Sequence, residues 1–288
     1  MNQNRKLARL TIKNNFMFGA VMTHEEACRV FLERAVGFPI ERVEVSKEKS
    51  IVYHPEYRGI RLDIIAKDED QTRYNVEMQV IKKAGLTKRA RYYHSQMDME
   101  MLLCGEEYEN LPAAFVIFIC DFDPFGLGKY RYTFEGKCLE TGESLHDESK
   151  TIFLSTCGEN DDEVPEELVK FLKFVKADYK ESSADFQDDY VKEIQNLIEQ
   201  IKNSREMEER FMLLEELLKD ERTEGRTEGM TESKVDDILI LLNDIGSVSE
   251  ELEARIREEH DIETLTRFLR TAARSASIEE FEEAIERG

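Results

Sequence analysis

Proline is scarce and one-sided: the 288-residue chain has five, Pro39, Pro55, Pro112, Pro124 and Pro165, and none follows position 165. Beyond that point Glu, Lys, Leu and Ile dominate, and helix is expected nearly throughout. No run of about 18 apolar residues occurs, so no transmembrane helix is expected. The basic N-terminal stretch MNQNRKLARLTIKNN has no apolar segment behind it, so no secretory signal is expected. Cysteines are few, odd in number and widely spaced (Cys28, Cys104, Cys120, Cys138, Cys157), with no CxxC pair. Neither a disulfide framework nor a zinc site is indicated, and the cytoplasm is the expected home. The five histidines, His24, His54, His94, His146 and His260, never fall at HxH or HExxH spacing. They read as surface or hydrogen-bonded residues. GLGK at 126–129 lacks the spacing of a phosphate loop.

Charge of one sign is also unevenly spread. The net charge is −22, yet residues 1–100 hold 18 Lys+Arg against 14 Asp+Glu, a net of +4, which leaves −26 for the remainder. The mildly basic head is therefore judged as a nucleic-acid binder on its own charge, apart from the acidic tail. A boundary is expected near 160, in CGENDDEVPEE, where turn-forming residues cluster. The expected units are 1–160, a helical linker or stalk over 161–230, and a small helical domain over 231–288. Within the stalk, ERTEGRTEGMTES carries a four-residue repeat whose Gly225 and Gly229 weaken the helix. It reads as an exposed spacer, a hinge or a self-association stalk. In the last unit Leu239, Leu242, Leu252, Ile256, Leu265 and Phe268 should form an apolar seam.

The head reads as helix (24–36), three extended segments, a helix through LTKRARYYHSQMDMEMLLCG and a buried strand, AAFVIFICDF: an α/β layer with a mixed sheet. IRLDIIAKD and RYNVEMQVI are strands joined by polar turn residues. Alternation puts Val76, Met78 and Val80 on one face and Asn75, Glu77, Gln79 and Ile81 on the other. If the two strands pair as a hairpin, Asp63 lies beside Glu77. Two crowded carboxylates repel, and a divalent cation such as Mg²⁺ resolves the repulsion, which suits phosphodiester hydrolysis. The same spacing also fits a solvent-facing hairpin with ordinary polar residues. The segment after the strand adds weight to the metal site. From Met78 to Met97 there is no acidic residue, while Lys82, Lys83, Lys88, Arg89 and Arg91 fall there with Tyr92, Tyr93 and Gln96. Basic and aromatic groups beside a metal site suit a phosphate backbone, while at least one of Tyr92 and Tyr93 reads equally well as core packing. Asp121 and Asp123, in CDFDPFG, read as a strand-end turn with Pro124.

Asp63, Glu77-x-Gln79 and the Arg-x-x-Tyr-Tyr helix together resemble a PD-(D/E)XK nuclease. NNFMFGAVM, RLDIIAKD, YNVEMQ, RARYYHSQMD and GEEY-x-x-LP resemble its recombination-promoting nuclease (Rpn) and transposase branch, over about residues 10–155. The resemblance implies a restriction-endonuclease-like mixed sheet flanked by helices, followed here by the long all-helical region, and Mg²⁺- or Mn²⁺-dependent DNA cleavage. It implies Asp63, Glu77 and Gln79 as catalytic residues. Asp63, Glu77 and the backbone carbonyl of Met78 would be metal ligands, with Glu33 as a further ligand or water-orienting group. Lys82, Lys83, Lys88, Arg89, Arg91, Tyr93 and Gln96 would contact DNA. Gln79 departs from the lysine of many relatives. It is neutral and orients only through hydrogen bonds, so the charge it lacks would come from Lys82, Arg89 or Arg91. A homodimer or higher homo-oligomer through the C-terminal helices is expected, and no membrane. The competing expectation is a nuclease-fold binding or scaffold protein that has lost catalysis. A strand-joining transposase is weaker, since no basic helix-turn-helix is visible.

Overall fold

A computed structural model of the chain describes residues 4–51, 60–102, 105 and 107–286; the side chains at 4–5, 47–51, 60–63, 217–218, 220–225 and 228 fall outside the described set. The order is α1 (Asn4–Leu7), α2 (Asn15–Met22), α3 (Glu25–Val36), β1 (Val43–Ile51), β2 (Ile60–Asp68), β3 (Arg73–Gln79), α4 (Leu86–Met101), β4 (Ala114–Cys120), β5 (Arg131–Phe134), β6 (Ser149–Ser155), α5 (Glu166–Lys176), α6 (Asp189–Lys202), α7 (Arg205–Ile245), α8 (Glu250–Arg257), α9 (Ile262–Ala272) and α10 (Ile278–Glu286). The six strands form one mixed sheet of order β1-β2-β3-β4-β6-β5. The β1–β2, β2–β3 and β5–β6 pairs are antiparallel, and β3–β4 and β4–β6 are parallel. Flanked by helices and followed by a helical region, this is the expected restriction-endonuclease-like α/β architecture. Strands β5 and β6 are additions to the expected strands.

Local chemistry sets the elements. Asn14 caps α2, its Oδ1 accepting from the backbone N–H of Phe16 at 3.0 Å. Gly37, left-handed at φ 87°, stops α3 where the sequence predicts. The β2–β3 turn is stapled by buried Asp68. Its Oδ1 accepts from the N–H groups of Asp70 (3.0 Å) and Thr72 (2.9 Å), and its Oδ2 accepts from the Tyr74 hydroxyl at 2.7 Å. Every residue of β4 is buried, which explains its unbroken apolar run: helices cover both of its faces.

The two faces carry separate cores. On one side α2, α3, α5 and α6 pack on Ile64, Ala66, Tyr74, Val76 and Met78, together with Ile117 and Leu154. On the other, Ala90, Tyr93 and Met97 of α4 pack on Ile65, Val116, Phe118 and Phe153. Because α5 and α6 belong to the first core, the compact unit extends to Phe211 and the division falls there, not near 160. The second unit, Met212–Gly288, has its own core, and all six residues of the predicted seam are buried in it. Despite Gly225 and Gly229, α7 is unbroken from Arg205 to Ile245.

Candidate active site

The site is built on β3. Alternation sends Tyr74, Val76 and Met78 toward α2 and α3 and turns Asn75 and Glu77 toward α4. That second face is covered, so the reading of a solvent-facing hairpin does not hold: Asn75 is 0% and Glu77 3% exposed. The Glu77 carboxylate meets two donors at one oxygen. Gln79 Nε2 donates to Oε2 at 3.1 Å, and Arg89 Nη2 of α4 lies 3.1 Å from the same atom. The Arg89 approach is an ion pair without hydrogen-bond alignment. Below the guanidinium lies the Phe118 ring, 5.4 Å from its carbon to the ring centroid, with the Tyr93 ring at 5.7 Å. The aromatic faces hold the cation over the acid.

Asp63 lies within β2, one residue before Ile64, but its side chain is outside the described residues. The ladder pairs Ile64 with Val76 and Ile65 with Asn75. His54 and Cys104 also fall outside the described residues. The exposed residues Lys82, Lys83, Lys88 and Arg91 follow or flank the end of β3, with Val80 and Ile81 also exposed, and Gln96 is half-buried.

Three of the expected site residues have other surroundings than an open, basic face. Glu33 does not join Glu77: it sits on α3, whose core face packs on the opposite side of the sheet. Its Oε1 accepts from Ile40 N–H at 2.9 Å and its Oε2 pairs with Arg29 at 2.8 Å, which fixes the loop after the helix. Tyr93 is a core residue, 5% exposed and stacked on Phe118, so it offers no ring to DNA. Arg89 is seated on Glu77 with its side chain 33% exposed, so it stands beside the acid and not on the open basic loop. Asp123 does form the predicted turn, accepting from Phe125 and Gly128 N–H and from the Tyr132 hydroxyl.

Sequence reasoning missed the isolation of Asn75. Its amide is fully buried, and neither Oδ1 nor Nδ2 has a hydrogen-bond partner. The signal that finds it is the apolar run of β4, which announces a cover on both faces.

A buried carboxylate, a neutral amide and the Met78 backbone carbonyl are hard oxygen donors, and they fit a hard divalent cation such as Mg²⁺ or Mn²⁺. Among the described residues no cluster of three or more His, Cys, Asp or Glu stands ready to hold a metal.

His94 is hydrogen-bonded as expected, and its setting has a measurable consequence. Its Nε2 lies 3.0 Å from Thr151 Oγ1 and its Nδ1 3.2 Å from Ser149 Oγ. Burial pushes its pKa down to about 4 against the nearby Asp147 charge, so the ring is neutral at pH 7. Between pH 6.5 and 4 the unfolded chain takes up a proton that the folded chain refuses. Stability is therefore complete above pH 6.5 and falls as pH drops, by roughly 3 kcal/mol at most. Melting curves of wild type and His94→Gln at pH 7 and 4.5 check this: the variant should lose less Tm over that interval. Equal losses would show that His94 does not cause the fall.

A six-stranded mixed sheet with an acid–Gln strand at its centre and helices on both faces places the chain in the restriction-endonuclease-like fold class. A family model described as PD-(D/E)XK nuclease family transposase matches residues 12–227, and the chain belongs to that family. No curated protein and no solved structure matches the chain. Among the described residues no helix is long and apolar enough to cross a membrane.

Proposed function

We propose that this nuclease-family chain is a metal-dependent DNA endonuclease of the recombination-promoting type. The carrying observation is Glu77, a carboxylate 3% exposed, hydrogen-bonded to Gln79 and paired with Arg89 at the root of a basic loop. The register of Ile64 with Val76 supports reading position 63 as the next partner along the ladder, toward Glu77, and the two acids as metal ligands with the Met78 carbonyl. When bound there, Mg²⁺ or Mn²⁺ lowers the pKa of an attacking water and offsets charge on the scissile phosphate. Gln79 orients Glu77 through its amide, and Arg89 stabilises negative charge gathering at the phosphate. Lys82, Lys83, Lys88 and Arg91 hold the DNA backbone, with Gln96 behind them. A homodimer through the C-terminal helices would present two such sites to the two strands of a duplex.

Supercoiled plasmid tests the reading. Wild type nicks it with Mg²⁺ or Mn²⁺ and not with EDTA, and Asp63→Ala loses the activity. Equal nicking by Asp63→Ala, or none by wild type, overturns it. A second reading, a binding or scaffold protein that keeps the fold without catalysis, is favoured by the Arg89–Glu77 pair: an acid already neutralised has less need of a metal. Calorimetric titration separates the two, since a catalytic site binds Mg²⁺ and loses it in Glu77→Ala.

A further inference from the structure

A second concavity opens on the same side of the sheet as Glu77, two strands away. Ladder pairing puts Glu77 beside Phe118 and Phe118 beside Phe153, so Phe153 stands two strand spacings, ~10 Å, from the acid. Beyond Phe118 the space between α4 and the β5–β6 edge is a cavity of about 480 Å³. That volume suits a small flat ligand.

Its chemistry is uneven. Phe134, 47% exposed, supplies an aromatic face, packed edge to face with the buried Phe153 ring at 5.8 Å between centroids. Asp98 on α4, Asp147 on the facing loop and Glu135 supply carboxylates, and Arg91 is the one cation on the lining; Glu135 is already paired with Lys137 at 3.4 Å and Lys150 at 3.8 Å, which leaves Asp98 and Asp147. Neither carboxylate has a cation at ion-pair distance among the described residues. Burial and then the charge of Asp147 hold the Asp98 carboxyl above its ordinary range, so the two acids already feel each other. His94 is neutral and occupied by Ser149 and Thr151, so it adds no charge. The loop is held at a cost: His146 (φ 57°) and Glu148 (φ 56°), on either side of Asp147, both take the left-handed conformation without being glycine.

An aromatic platform, two carboxylate acceptors and a single guanidinium donor call for a planar heterocycle rich in N–H donors with one carbonyl. Guanine offers that edge. Its N1–H and exocyclic amino group donate side by side to a carboxylate, and its O6 accepts from an arginine. Thymine presents two acceptors around one donor, and adenine one of each, so both leave an acid of the cavity unpaired, which favours guanine over them. We propose that this cavity binds a guanine base, stacked on Phe134 and read by Asp98, Asp147 and Arg91. The base comes either from a free guanine nucleotide or from DNA, where a nucleotide turned out of the stack would enter while the strand lies along the basic face. The second source rests on the endonuclease proposal; the first does not.

The test uses the full chain in EDTA, where no cleavage can intervene. Calorimetry should give dGMP at least tenfold tighter binding than dTMP or dAMP, and Asp147→Asn, on an exposed loop, should weaken dGMP at least tenfold with Tm unchanged. Arg91→Gln gives a second, independent loss. A thymidine decamer bearing one central guanine identifies the source. Binding tighter than dGMP and than the all-thymidine decamer indicates an extruded base, whereas dGMP binding without that gain indicates a free nucleotide. No guanine preference, or full dGMP affinity in both variants, overturns the proposal. Guanine binding that persists in a chain that never nicks plasmid would sink the endonuclease and leave this site standing.

Discussion

Glu77→Gln is expected to lower metal-dependent plasmid nicking on the order of 1,000-fold, because a ligand charge worth several kcal/mol in the transition state disappears while the side-chain volume stays. The fold should survive. Gln fills the same space under Arg89, and the Arg89 side chain is 33% exposed, so its lost partner costs about 1 kcal/mol or less. Single-turnover nicking at saturating Mg²⁺, with a melting curve beside it, reads both effects. Loss of nicking with an unchanged Tm is the expected result. A variant that nicks within tenfold of wild type would mean that Glu77 is an interior ion-pair residue and the reacting centre lies elsewhere.

The largest effect on stability is expected from Phe118→Ala, about 3–5 kcal/mol. Phe118 is fully buried, stacks on Phe153 at 5.2 Å and on Tyr93 at 6.2 Å, and lies under Arg89. Truncation empties the space between the sheet and α4, and the helix cannot settle onto it because β4 is also packed from behind. Urea unfolding followed by far-ultraviolet circular dichroism measures the change. The core of the unit Met212–Gly288 does not contain Phe118, so a separate transition from that unit would keep its midpoint. A shift of less than about 1 kcal/mol would show that α4 contributes little to holding the sheet.

Much of the sheet was legible. Period-two alternation and the polar turn gave β2 and β3, the apolar run gave β4, and Gly37 gave the end of α3. Alternation also put Glu77 and Gln79 on one side, where they do touch. It could not say which side is covered. Helix periodicity groups Arg89 with Tyr93, but whether that stripe faces water or the sheet depends on Phe118, distant in sequence and close in space. Arg89 and Tyr93 therefore read both ways, as DNA contacts or as a cation beside the acid and a core ring, and the structure places them in the second pair of settings. Glu33 is a similar case: its carboxyl is satisfied by Arg29 and by the Ile40 backbone, contacts that only the loop geometry reveals. Four-residue β5 is too short for alternation to be recognised. The amphipathic pattern of α5 and α6 fits a stalk as well as a sheet cover, which is why the first compact unit runs longer than its composition suggests. Gly225 and Gly229 cost helix propensity without breaking α7, since a weak preference is readily outvoted by the residues around it.

The order of construction along the chain has a consequence for the cell that makes it. The Asp68-stapled hairpin closes locally and early, but Glu77 gains its lid only after α4 has crossed over and β4 has docked in parallel beside β3, a non-local closure that is slow relative to hairpin formation. A nascent chain that has emerged only as far as β3 thus carries Glu77 uncovered and without Arg89 beside it, so the enclosed acid–arginine pair exists only once α4 and β4 have followed.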